Sequence, residues 1–303
     1  VSRADALYAI RRFIDSLMSL LQALQASPAL FVTAVVTMSL AIGSFLNVVI
    51  HRMPKMLERQ WREELAELNG KESTPAPRYN LMVPRSSCPS CGHQIRAIEN
   101  IPLISYIALS GKCAACKAPI GMRYPFVEML TGVLSGLVAW HYGFSWQTFA
   151  ALIFVWAMIA LAFVDLDTFF LPDDITLPLT WAGLLVNISA TFVDLQSAVI
   201  GAAAGYLSLW AVFWAYKLAT GKDGMGYGDF KLLAAIGAWL GWKLLPVVIL
   251  LSSLVGAIVG VSLIVFARHG RNVPIPFGPY LVLGGVIALL WGEPLLNYYL
   301  RTL

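Results

Sequence analysis

The stretch Gly224-Met225-Gly226-Tyr227-Gly228-Asp229-Phe230-Lys231 decides how the chain is read. It lies between two long apolar runs, so its one carboxylate, Asp229, falls where a helix should start at a membrane surface. An ionisable residue at such a place is costly and marks a functional site. The glycines open backbone dihedrals closed to other residues and let another chain approach closely. A carboxylate behind such a loop can meet an extended peptide at short range. Hydrolysis needs a second acid, and candidates stand at the edge of another apolar run, in Ala162-Phe163-Val164-Asp165-Leu166-Asp167. Asp165 lies deepest and is the first choice as partner of Asp229, with Asp167 second.

Composition supports the membrane setting. The 303 residues are 58% hydrophobic and 13% charged, with a mean hydropathy of +0.72, whereas a soluble domain carries about 25% charged residues. The expected fold is an all-α polytopic membrane protein with about eight transmembrane helices and a cytoplasmic zinc-binding insertion after the first. The spans are expected at 29–50, 125–142, 146–164, 175–192, 198–218, 232–240 with its flanks, 247–266 and 274–291. Residues 1–28 read as an interfacial amphipathic segment rather than a signal peptide. The net charge of +4 is small, and the expected surroundings are a lipid bilayer with no nucleic-acid partner.

Residues 52–123 form the one large polar segment. Within it, 58–72 read as a solvated charged helix and 74–77 as a Pro-containing linker. All four cysteines follow, in Cys88-Pro89-Ser90-Cys91 and Cys113-Ala114-Ala115-Cys116. Two Cys-x-x-Cys pairs read as the two knuckles of a tetrahedral zinc site, in preference to disulfides or free thiols. A closed four-thiolate shell leaves no position for substrate, so this zinc is structural. His93 is a spare ligand that four cysteines make unnecessary. His51 and His141 read as interfacial residues, and His269 as a solvated loop residue. Asn47, near the end of the first span, reads as an interhelical hydrogen-bonding group. Glu128 is expected to pair with Arg123 and anchor a helix end, or else to line a polar pocket. Pro172 separates two helices, and Asp173 and Asp174 cap the second. The prolines of Pro274-Ile275-Pro276-Phe277-Gly278-Pro279 form a helix start or a re-entrant wall beside the active site.

With the cysteine-rich segment in the cytoplasm and alternating spans, 16 of the 21 Lys and Arg residues face the cytoplasm. The same topology puts Asp165 and Asp229 at one membrane face. Two nearby carboxylates share a proton and titrate as a pair. One then takes a proton from water while the other donates to the scissile carbonyl. No Ser-His or Cys-His arrangement competes.

Gly226-Tyr227-Gly228-Asp229 matches the GxGD motif of intramembrane-type aspartyl proteases, and Asp165 with Pro172 resembles the first aspartate motif of type IV prepilin peptidases. The resemblance extends through Gly43-Ser44-Phe45-Leu46-Asn47, both cysteine pairs, Glu99-Asn100-Ile101-Pro102-Leu103 and Arg123-Tyr124-Pro125-Phe126-Val127-Glu128 to the proline stretch at 274–279. In this order the set resembles the bifunctional family of prepilin leader peptidases and N-methyltransferases. The resemblance implies a bacterial inner-membrane enzyme of type IV pilus or type II secretion systems. Its substrates would be prepilins and pseudopilins, cut after a glycine that ends a short basic leader. The new N-terminus would then be methylated from S-adenosylmethionine. Asp165 and Asp229 would be catalytic, and Cys88, Cys91, Cys113 and Cys116 would bind zinc. Gly111, Arg123 and Glu128 are candidates for the methyl-donor site, each with a structural role as its alternative. The domain division would be 1–28 interfacial, 29–50 first transmembrane helix, 51–124 cytoplasmic zinc domain and 125–303 membrane protease. Two competing readings are another GxGD protease that cuts within a membrane span, and an ion or proton transporter with intramembrane acids. The second leaves the cysteine pairs unexplained.

Overall fold

The computed structural model describes residues 3–70, 78–266 and 275–302. The expected linker 74–77, His269 with its basic neighbours, and Pro274 lie outside them. Among the described residues the structure is helical, with no strand beyond two isolated bridges in the cysteine-rich segment. The order is α1 (Arg3–Ala26), α2 (Pro28–Leu68), α3 (Ile104–Ala108), α4 (Arg123–Tyr142), α5 (Trp146–Thr168), α6 (Asp173–Val186), α7 (Leu195–Thr220), α8 (Tyr227–Leu240), α9 (Leu245–Phe266) and α10 (Gly278–Thr302).

Helices occupy all eight places where a span was expected, but their lengths differ. Among the described residues, five segments are long and apolar enough to cross a membrane: Pro28–Leu68, Trp146–Thr168, Leu195–Thr220, Trp242–Phe266 and Gly278–Tyr298. The expected count of about eight is therefore not established by length and composition. α6 and α8 have 14 residues each, roughly 21 Å at 1.5 Å per residue, against a hydrocarbon core of about 30 Å. α2 departs in the other direction. Ser27 caps its start by accepting from the Leu30 N–H at 3.3 Å, and Pro28 occupies its first turn. It then continues without interruption through Pro54 for 41 residues, so the first span and the charged 58–68 stretch are one rod.

α8 sits at the centre of the C-terminal helices. It is buried at Asp229, Phe230 and every position from Leu232 to Leu240, as a helix apolar on all sides must be. α7, α6, α10 and α9 surround it. Small residues set the closest crossing: the missing side chains of Gly201 on α7 and Gly237 on α8 face each other's backbone carbonyls. Trp239 fills the space beside Gly183 of α6, and its indole N–H donates to the Leu179 carbonyl at 2.8 Å. The far end of α8 is closed by buried Asn187. Its amide donates to the Ala238 and Trp239 carbonyls at 2.9 and 3.0 Å, while its oxygen accepts from the Phe192 and Val193 N–H groups. Four polar groups that lipid cannot satisfy are thereby paired.

Gly237→Ala should force α7 and α8 apart. The expected cost is about 1–3 kcal/mol, the usual range for overpacking, read as a lower melting temperature in detergent. Gly121→Ala, where an added Cβ meets nothing within 4 Å, should leave the melting temperature unchanged.

Candidate active site and metal centre

Asp165 ends α5 and Asp229 opens α8. Both are buried, at 5% and 7% relative exposure. Three features bring them together. Gly228 lets the segment after α5 close onto α8, since a Cβ there would stand 2.8 Å from the Leu171 Cβ. α10 packs against both α5 and α8. Its first residue, Gly278, donates its backbone N–H to Asp165 Oδ2 at 3.0 Å. A side chain on Gly278 would lie 2.6 Å from the same oxygen, so glycine is required for this bond to form.

The other acids are otherwise engaged. Asp167 Oδ1 accepts from Arg123 at 2.6 Å, and the guanidinium also reaches the Phe163 carbonyl at 3.3 Å and lies over the Phe163 ring. The expected Arg123–Glu128 pairing is thus replaced by Arg123–Asp167, because the fold carries the start of α4 to the end of α5. Asp173 takes both of its oxygens to Lys231 Nζ at 2.7 Å. The N-cap of α6 is Pro172, with no side-chain cap bond, so Asp173 joins α6 to α8 in addition to sitting in its first turn.

The four thiols converge: their Sγ atoms all lie within 4.8 Å of one another. Cys88 and Cys116 are 3.8 Å apart, and Cys91 and Cys113 are 4.0 Å apart. Such separations are far beyond a disulfide bond of about 2.05 Å. They match thiolates at about 2.3 Å from one tetrahedral centre, which stand about 3.8 Å apart. The two knuckles repeat one backbone design. The Cys88 N–H donates to the His93 carbonyl and the Gly92 N–H to the Cys88 carbonyl; the Cys113 N–H donates to Ala118 and the Lys117 N–H to Cys113. Gly92 and Lys117 occupy the same left-handed position, at φ 72° and 61°. Backbone hydrogen bonds from Ser90 and Cys91 pull the Cys88 thiol down to about 6, and those from Cys116 and Ala115 lower Cys113. At Cys91 the backbone bond from His93 is outweighed by hydrogen bonding to the other thiols, Cys116 first, which pushes it up to about 11. The spacing of the four donors fits a metal such as zinc. His93 turns elsewhere, to Glu99 at 3.0 Å.

Between this cysteine module and the helices lies a cavity of about 460 Å³. Asn47 and His51 of α2, Tyr124 and Glu128 of α4, and Tyr106 and Glu99 of the module line it. Asn47 makes the interhelical bond expected of it, donating to the Tyr124 carbonyl at 3.1 Å. Glu128 Oε2 accepts from the Leu103 N–H at 2.9 Å and so ties the module to the membrane helices. Gly111 stands behind the wall. It takes φ 66°, and a Cβ would lie 2.8 Å from the Tyr106 hydroxyl, so its bareness seats the tyrosine that lines the cavity. Arg123 faces Asp167 and is not among the cavity's lining residues. Sequence reasoning did not find the cavity itself, since its walls come from three separate parts of the chain.

Residues 37–142 match the family model described as the bacterial peptidase A24 N-terminal domain, and residues 152–261 match the type IV leader peptidase family. The chain is 55% identical to a protein named prepilin leader peptidase/N-methyltransferase from Pseudomonas aeruginosa, over 94% of this chain and 98% of that protein. It is 56% identical to one of the same name from Aeromonas salmonicida, over 94% and 99%. A third, from Burkholderia pseudomallei, is 50% identical over 86% and 85%. No solved structure matches the chain significantly.

Cys113→Ser should lower bound zinc, measured by elemental analysis of the purified protein, from about one per chain to none. Full metal retention would contradict the four-thiolate centre.

Proposed function

Because the chain belongs to the type IV leader peptidase family, we propose that Asp165 and Asp229 cleave the leader of a prepilin at the cytoplasmic membrane face, and that the cavity under the cysteine module serves methylation of the new N-terminus. The observation that carries the first part is the pair of buried carboxylates, delivered by separate helices, with Asp165 held by the Gly278 N–H. Two such groups share one proton. The ionised member takes a proton from water, the hydroxide attacks the scissile carbonyl, and the protonated member gives its proton to the carbonyl oxygen. Collapse of the tetrahedral species then returns a proton to the leaving amine. Holding one Asp165 oxygen on a backbone donor fixes that carboxylate for the exchange. The distribution of Lys and Arg supports a cytoplasmic site, and the proposed setting is the bacterial inner membrane. In this reading residues 51–124 are the zinc and methyl-donor module and 125–303 the protease.

For the methyl donor, S-adenosylmethionine, the size and lining of the cavity support the assignment. Pockets for such ligands run about 300–1,000 Å³ with a few convergent polar groups. When bound, the donor supplies a methyl group activated on a sulfonium. Tyr106 and Tyr124 offer aromatic faces. Glu99 and Glu128 offer carboxylates that suit a cationic ligand. Gly111 acts by seating Tyr106, and Arg123 by fixing the start of α4. The zinc centre acts by holding the module's wall in shape.

Asp165→Asn and Asp229→Asn should each reduce prepilin cleavage by about 10²–10⁴-fold or more, followed by mass analysis of the product, while binding of S-adenosylmethionine is unchanged. Cleavage at the wild-type rate in either variant would remove that residue from the reaction. Glu128→Ala leaves the Leu103 N–H without its partner, an effect of about 1–3 kcal/mol. It should weaken donor binding, read by calorimetry, by about 5- to 150-fold and leave cleavage intact.

A further inference from the structure

Three glycines stand just ahead of Asp229, and the fold accounts for two of them. A Cβ on Gly224 would lie 2.7 Å from the Tyr216 ring, and one on Gly228 would lie 2.8 Å from Leu171. Gly226 is different. Its φ of −83° and ψ of 151° are open to any L-residue. Among the described residues, a Cβ there would meet nothing nearer than the Gly228 nitrogen at 3.9 Å. Flexibility does not explain it either, because the position is held from both sides. Met225 packs on the core. The Tyr227 ring meets Phe213 and Phe230 at 5.3 Å each. The Gly226 carbonyl accepts from the Asp229 N–H at 3.3 Å. Gly226 is also exposed, although Asp229, one turn away, is buried.

Among the described residues nothing requires this fixed and accessible N-cap position beside a buried carboxylate to be bare. We propose that Gly226 is a positioning residue on which the extended backbone of the substrate lies, so that the scissile carbonyl reaches Asp229. Absence of a side chain lets two backbones approach closely. A Cβ would lift the peptide by about 1.5 Å, and a misplacement of about 1 Å can cost about 10²-fold in rate. The inference rests on the proposed peptidase function and adds a residue to it.

The test uses the full-length protein in detergent. Serine is a favoured N-cap residue and Gly226 is the N-cap of α8, so Gly226→Ser should melt at or above the wild-type temperature. Its kcat/KM for a purified prepilin should nevertheless fall about 10–100-fold, and Gly226→Val should fall further. On the Asp229→Asn background, which removes chemistry, Gly226→Ser should weaken the prepilin dissociation constant by a similar factor. Methylation of a pre-cleaved pilin should be unaffected. Wild-type kcat/KM in both Gly226 variants would overturn the inference. So would a melting temperature for Gly226→Ser as low as that of Gly228→Ala, since the fold itself would then need the glycine. If the wild-type protein cuts no prepilin, the peptidase reading fails first, and the two failures are told apart by that control.

Discussion

A helix of 14 residues, apolar on every side, is too short to cross a bilayer alone and has no face to show to water. α8 must therefore be enclosed, and most of the packing of α6, α7, α9 and α10 follows from enclosing it. α7 closes against it where two glycines meet, α6 clamps Trp239, Asn187 closes its last carbonyls, and α10 covers the remaining side. The result is a rigid post whose one charged end, Asp229, comes out at a fixed height. Asp165 needs no separate device to find it, because the helix that covers α8 also supplies the backbone donor that holds Asp165.

Much of this was legible in the residues. The depth of Asp165 relative to Asp167 followed from where the apolar run ends, and the structure gives Asp167 a surface ion pair with Arg123 instead of a place beside Asp229. The cysteine spacing pointed to a shared metal because Cys-x-x-Cys has little other use in pairs. Other features were not legible. The Gly278 bond joins residues 113 apart in sequence, and no periodicity reports it. Of the two places open to Glu128, a pairing with Arg123 or the lining of a polar pocket, the structure takes the second, because tertiary packing brings Asp167 to Arg123. The extent of α6, which stops at Val186 where 192 was expected, was hidden for a related reason: hydropathy measures how apolar a segment is, and a short enclosed helix scores like one that meets lipid.

Among the described residues, hydrogen bonds to backbone tie the cysteine module to α2 and α4, and those two helices to each other. Arg52, buried in α2, donates to the Asn80 and Leu81 carbonyls at 3.0 and 3.4 Å. Glu128 takes the Leu103 N–H, and Asn47 takes the Tyr124 carbonyl. These bonds define the cavity between the two halves, so its shape depends on how the module is seated as much as on what lines it.

The unbroken course of α2 has a mechanical consequence. At 41 residues it is about 61 Å long, and its outer part reaches the segment after α5, where Trp61 meets the Phe170 ring at 5.2 Å. Tilting such a lever by about 5° moves its far tip by about 5 Å. Packing against α4 and α5 sets that tilt, so a change in how those helices seat α2 would be felt at the Trp61–Phe170 contact, far from the enclosed post.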